Sequence, residues 1–168
     1  MITSRKFSKG FTLVELLVVI SILGVLASIA LVSFRSSQIR GRDAERKSDL
    51  KQISSALELF YSDYGKYPDD SGGSIMACPT GTLCVWGSGQ FSDGKTIYFK
   101  VLPKDPASDQ SYYYRIVDPP SNQKFQLFAY LENTQDANLL LPASSYLCGG
   151  STKYCNFAIT SSNTKPSE

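Results

Sequence analysis

From Phe11 to Phe34 the chain runs for 24 residues with one carboxylate, Glu15, and no other charge. As a helix rising 1.5 Å per residue, that run spans about 36 Å, enough to cross the ~30 Å hydrocarbon core of a bilayer. A charge inside hydrocarbon costs at least about 2.5 kcal/mol, so Glu15 calls for a partner and is a candidate functional group. The other reading places Glu15 at the membrane interface, near a helix N-terminus whose dipole favours an anion.

Ahead of the run lies a ten-residue leader, Met1 to Gly10, with Arg5, Lys6 and Lys9 and no acid. The apolar core of a secretory signal is shorter, about 7 to 15 residues, and a small-residue cut site follows it, so this run reads as a retained span. The positive-inside rule keeps the leader cytoplasmic. The polar remainder is exported despite Arg35, Arg40 and Arg42, because large domains translocate largely regardless of charge. Removing the leader takes three of the seventeen basic residues and leaves fourteen against fifteen acids, a net of −1. So even a balance makes no case for nucleic-acid binding. The absence of histidine removes Ser-His and Cys-His activation of a nucleophile. Gly72-Gly73 and Gly149-Gly150 sit in loop contexts, not in a phosphate loop after a strand. A structural, assembling protein is the reading adopted, with no enzyme activity; a single-pass membrane hydrolase using carboxylates is the alternative of another class.

Gly10 followed by Phe11-Thr12-Leu13-Val14-Glu15 and an apolar helix resembles the class III leader of type IV prepilins and of the pseudopilins of type II secretion. The resemblance implies cleavage between Gly10 and Phe11 by a prepilin peptidase, N-methylation of the Phe11 amine, and assembly into a homo-oligomeric filament. It implies minor pilins and an inner-membrane assembly platform as further partners. The subunit would be a single-pass inner-membrane protein with an exported head, and later part of a periplasmic or extracellular filament. Glu15 would neutralise the Phe11 amine of a neighbouring subunit and set axial register.

Leu50, Ile53, Ala56, Leu57, Phe60, Tyr61 and Tyr64 recur at helical spacing, so the helix is expected to continue to Tyr64 as an amphipathic segment, with Gly65 as its stop and Pro68 beyond. Between Arg35 and Lys51 it is almost wholly polar. That stretch is expected as a solvated rod, with pairs such as Asp43 with Lys47 along one face, or as charge contacts between packed subunits, and the two can hold together. Pro68 to Gly94 reads as irregular loop. Strands are expected at Thr96 to Val101, Tyr112 to Val117, Phe125 to Leu131 and Asn156 to Thr160, the middle two forming an antiparallel hairpin. The fold class is α+β and type IV pilin-like: a long N-terminal helix packed on a small antiparallel sheet. The expected division is leader 1–10, span 11–34, amphipathic helix 35–64, exported head 65–159 and disordered tail 160–168.

In the head, Leu102-Pro103-Lys104-Asp105-Pro106 with Tyr112-Tyr113-Tyr114, and Gly65-Lys66-Tyr67-Pro68, are similar to stretches of major pseudopilins of the G type. Three features depart from that group. No proline interrupts the apolar helix, where most members carry one near the position of Val32. The calcium loop that the resemblance implies is represented only by Glu132-Asn133-Thr134-Gln135-Asp136-Ala137, in which Glu132 and Asp136 with nearby carbonyls are an incomplete set for an ion that takes six to eight oxygens; an ordinary polar loop without a cofactor is the reading adopted, and calcium held by Glu132 and Asp136 is the alternative. Four cysteines, Cys78, Cys84, Cys148 and Cys155, lie on the exported side, where disulfides form. Two local bridges, Cys78 with Cys84 and Cys148 with Cys155, are the simplest of three pairings, and a zinc site is the rival. A type IV pilin-like subunit with a pseudopilin-type head is the favoured reading, and a major pseudopilin of type II secretion is the alternative.

Overall fold

The computed structural model describes residues 10–78 and 81–168, the side chains of Val32 and Cys78 excepted. Of the expected leader, only Gly10 falls among the described residues. The chain divides into two units, residues 1–38 and 39–168. One 52-residue helix, α1 (Leu13–Tyr64), belongs to both.

Within the first unit the large apolar side chains of α1 from Leu13 to Phe34 are 46 to 79 % exposed. Two of its hydroxyls turn inward on the helix: Ser21 donates to the Leu17 carbonyl at 2.8 Å and Ser28 to that of Val25 at 2.7 Å. Those two hydroxyl protons are thereby satisfied within the helix, as hydrocarbon surroundings require. Among the described residues α1 is the one helix long and apolar enough to cross a membrane.

In the second unit α1 places Leu50, Ile53, Leu57 and Phe60 on one buried face, the i, i+3, i+4 spacing of an amphipathic helix. The helix stops at Gly65, whose φ of 67° suits a left-handed cap and whose N–H donates to the Tyr61 carbonyl at 2.7 Å. Among the described residues ten strands follow: β1 (Asp69–Ser71), β2 (Ser74–Cys78), β3 (Thr82–Cys84), β4 (Phe91–Ser92), β5 (Ile97–Phe99), β6 (Tyr113–Ile116), β7 (Phe125–Ala129), β8 (Leu147–Gly149), β9 (Lys153–Tyr154) and β10 (Phe157–Thr160). They form antiparallel sheets in the orders β1-β2-β3 and β10-β7-β6, with β4-β5 and β8-β9 as two-stranded ribbons.

Strand β7 is central in its sheet, and all five of its residues are buried. Side chains alternate across a strand, so its two faces enter different clusters. Phe125, Leu127 and Ala129 join the main core with Leu50, Ile53 and Leu57. Phe128 packs with Cys148 and Cys155, and Tyr113, Tyr130 and Tyr146 lie against them.

Two expectations are corrected here. Pro68 to Gly94 is not irregular: it carries β1 to β4, whose Ile75, Cys84 and Phe91 are fully buried. Its Gly and Ser content marks tight turns between very short strands. The segment 160–168 is held in place: Thr160 ends β10, Ser161 is buried, Gln126 Nε2 donates to the Lys165 carbonyl at 2.6 Å, and Arg115 Nη1 to that of Glu168 at 2.9 Å. Polar side chains of the sheet gain acceptors there, which composition alone does not register.

Candidate assembly sites

The start of α1 is organised by Thr12 and Glu15. The Thr12 N–H donates to Glu15 Oε2 at 2.9 Å, the Thr12 hydroxyl donates to the same oxygen at 2.6 Å, and the Glu15 N–H donates back to Thr12 Oγ1 at 3.2 Å. This is a capping box: residue and partner three positions apart each satisfy an amide that the first helical turn leaves orphaned. The Thr-x-x-Glu pattern was available in the sequence as its signal. Within one chain, therefore, Glu15 occupies the helix-terminal anion position. Phe11 beside it is 80 % exposed, and Gly10 has no atom within 4 Å of where a Cβ would stand.

In the second unit the polar stretch of α1 meets the loop after β7. Arg46 is fully buried. Its Nε and Nη2 donate to Asp105 Oδ2 and Oδ1, each at 2.9 Å, its Nη1 to Asp43 Oδ1 at 2.7 Å, and its Nη2 lies 2.8 Å from Glu132 Oε1. Asp105 sits between Pro103 and Pro106 and also accepts the Ala107 N–H at 2.8 Å. The prolines fix φ, and so present a carboxylate that a planar guanidinium grips with two parallel bonds. Asp43 accepts the Glu132 N–H at 3.0 Å and the Asn133 N–H at 2.8 Å. Arg42 Nε reaches Glu132 Oε1 at 2.8 Å, and Lys47 Nζ reaches both oxygens of Asp136, at 2.7 and 2.6 Å. Hydrogen bonding from Arg42, with Arg46 adding to it, holds the Glu132 carboxyl down to about 2 against the opposing effect of burial. Lys47, with the Asn138 N–H, holds Asp136 below the usual carboxylate range.

Farther along α1, acids are met by tyrosines of the head. The hydroxyl of Tyr112 donates to Asp49 at 2.6 Å, that of Tyr67 to Glu58 at 3.0 Å, and that of Tyr98 to Asp63 at 2.8 Å. Burial pushes the Tyr112 hydroxyl well up, and the Asp49 bond adds to it.

The expected pairing of Asp43 with Lys47 is corrected: Asp43 takes Arg46, and Lys47 reaches across to Asp136. Of the two expectations for the stretch 35–51, neither the solvated rod nor inter-subunit contact describes Asp43, Arg46 and Lys47, whose partners lie within the chain. Arg46 and Asp105 went unrecognised as site residues, since a helix polar on every face carries no sign of which charge will be buried. Cys148 is disulfide-bonded to Cys155, across the β8-β9 ribbon. Cys84 is disulfide-bonded as well; its expected pairing with Cys78 rests on a side chain outside the described ones.

Comparison with known proteins matches residues 5–31 to the prokaryotic N-terminal methylation motif and residues 35–138 to the family described as type II secretion system (T2SS), protein G. The type II secretion system core protein G of Pseudomonas aeruginosa is 31 % identical over 129 residues, covering 74 % of this chain and 84 % of that protein. That of Pectobacterium carotovorum is 30 % identical over 121 residues, covering 72 % and 74 %. The type IV major pilin protein PilA of Myxococcus xanthus is 40 % identical over 62 residues, which is 37 % of this chain and 28 % of the pilin. No solved structure matches the chain.

Proposed function

The chain belongs to the type II secretion system protein G family, and on that premise we propose that it is a filament-building subunit of the pseudopilin kind. Members are structural pilins and pseudopilins rather than known enzymes, and a pilin or pseudopilin subunit with an N-terminal methylation motif is what this chain is. The apolar half of α1 anchors it in the inner membrane with the head exported. In the proposed sequence of events a prepilin peptidase cuts between Gly10 and Phe11, the Phe11 amine is methylated, and the subunit enters a homo-oligomeric filament with minor subunits on an inner-membrane platform. Glu15 then exchanges its Thr12 partner for the Phe11 amine of a neighbour. The observation that carries this reading is that the family match extends through the second half of α1 and most of the head, to residue 138. It joins a helix half whose described large apolar side chains stand 46 to 79 % exposed.

The cleavage step is tested by intact mass and terminal peptide analysis of subunit extracted from membranes. A mature N-terminus at Phe11, heavier by one methyl group, is the expected result; subunit that still begins at Met1, or is cut after Phe34, refutes it. A surface pilus is the second reading, favoured by the Myxococcus pilin and by a Neisseria gonorrhoeae pilin 35 % identical over 71 residues, both matching less than half of this chain. Electron micrographs decide between them, since long surface filaments at native expression belong to the pilus and their absence beside abundant mature subunit to the pseudopilus.

A further inference from the structure

Resemblance to major pseudopilins implies a calcium loop near the last strands, and in this chain the corresponding residues are Glu132 to Ala137, followed by Asn138. We propose that the cations of α1 hold that loop in place of a metal ion, so that the head keeps its native structure without calcium. Both carboxylates that a metal would need are already occupied. Glu132 Oε1 faces Arg42 Nε and Arg46 Nη2, each at 2.8 Å, and Glu132 Oε2 accepts from Arg42 Nη2. Asp136 Oδ1 and Oδ2 both face Lys47 Nζ, and Oδ1 also accepts the Asn138 N–H at 3.0 Å.

Calcium takes six to eight oxygens at about 2.3 to 2.6 Å. To assemble such a set here, Lys47 and Arg42 would have to withdraw, and the ion would then stand beside the buried guanidinium of Arg46. Among the described residues no group of three or more His, Cys, Asp or Glu side chains is placed to hold a metal ion. The loop's backbone is fixed by the same helix, because Asp43 accepts the N–H groups of Glu132 and Asn133. Lys47 is itself steadied, its Nζ 5.6 Å from the centre of the Phe157 ring. Three cations thus do at this loop what a divalent ion does elsewhere: they gather carboxylates that would otherwise repel and tie them to one rigid element. Unlike an ion, they cannot diffuse away when calcium is scarce.

The test uses the full chain in detergent micelles, washed with EDTA and then measured with or without millimolar calcium chloride, with magnesium chloride as the ionic control. Thermal unfolding is followed by circular dichroism, and amide hydrogen exchange of residues 132–138 by mass spectrometry. The expected result is the same unfolding midpoint and the same exchange in EDTA and in calcium. In Lys47→Gln and Arg42→Gln, both partly exposed positions whose change leaves the buried Arg46 to Asp105 pair in place, the expected result is a cooperative unfolding transition with exchange in 132–138 raised at least about tenfold as the loop opens locally. A calcium-specific rise of about 4 °C or more in the wild-type midpoint, the size expected of a ligand bound to the folded state well above its Kd, overturns the proposal. So does exchange in both variants that matches wild type. Neither outcome touches the cleavage and filament reading, which is decided by mass and micrograph.

Discussion

The two halves of α1 differ in where their partners are. Over Leu13 to Phe34 the described large apolar side chains are exposed, and the Ser21 and Ser28 hydroxyls fold back on their own helix. Over Asp43 to Phe60 several charges and the apolar face find partners within the chain: Arg46 pairs with Asp43 on its own helix and with Asp105 and Glu132 of the head, Lys47 with Asp136, and Leu50, Ile53 and Leu57 pack in the main core. A 52-residue helix is far beyond the mean of about 11 to 12 residues, and helices of ordinary sequence depend on packing rather than on propensity. The first half therefore has to draw its packing from lipid or from other subunits, whereas the second already has it. Glu15 marks the contrast most sharply, as an acid whose partner among the described residues is Thr12, three positions before it.

The largest expected effect is at that residue. Glu15→Leu suits hydrocarbon better and leaves membrane insertion and cleavage after Gly10 intact. It removes the counter-charge of each incoming Phe11 amine, and breaking a buried pair costs about 3 to 5 kcal/mol. Filament counts fall by more than about tenfold beside normal amounts of mature subunit on immunoblot. If Glu15 serves only as the capping-box acid, the loss is about 1 kcal/mol of helix stability and filament numbers stay near wild type.

At Arg46 the effect is comparable in energy but falls on the fold. Arg46→Met strands Asp43 and Asp105 without their cation, and the head loses about 3 to 5 kcal/mol, read as a lower urea midpoint. Asp105→Asn in the same chain recovers part of that loss. Strict additivity of the two changes would mean that the pair is not coupled. The first half of α1 feels neither change, so membrane extraction behaves as in wild type.

The smallest effect is on acid stability. Because the folded-state pKa of Glu132 is depressed to about 2 and that of Asp136 also lies below its usual value, their contribution is fully present above the unfolded carboxyl range. It fades as pH falls from about 4.5 toward 2. Urea midpoints of the wild type decline across that window, and Lys47→Gln declines less steeply because Asp136 then keeps only the Asn138 N–H to lower its folded-state pKa. Parallel curves would remove the Lys47 to Asp136 pair from the account.

Much of the fold was legible because its signals are periodic. Leu50, Ile53, Leu57 and Phe60 mark the helix face, Gly65 its end, and the turn-rich Asp118 to Asn122 the β6-β7 hairpin. What escaped was of two kinds. The strands β1 to β4, β8 and β9 are two to five residues long, too short for an alternating pattern to stand out among turn residues. The clasp of Arg46 on Asp105 spans 59 positions, and nothing local distinguishes a charge that will be buried from one that stays in water.

By itself, the sequence determined the apolar span, the Gly10, Phe11 and Glu15 constellation, the stop at Gly65 and the cysteines that can close short loops, because each depends on neighbours within a few residues. Only the tertiary structure decided that the polar middle of α1 is an ion-pair clasp on the 132–138 loop, that β7 is buried on both faces, and that the tail is held by Gln126 and Arg115. Those outcomes depend on which distant groups meet. A buried charge is stable only where several opposite partners converge on it, and that convergence is a property of the folded chain.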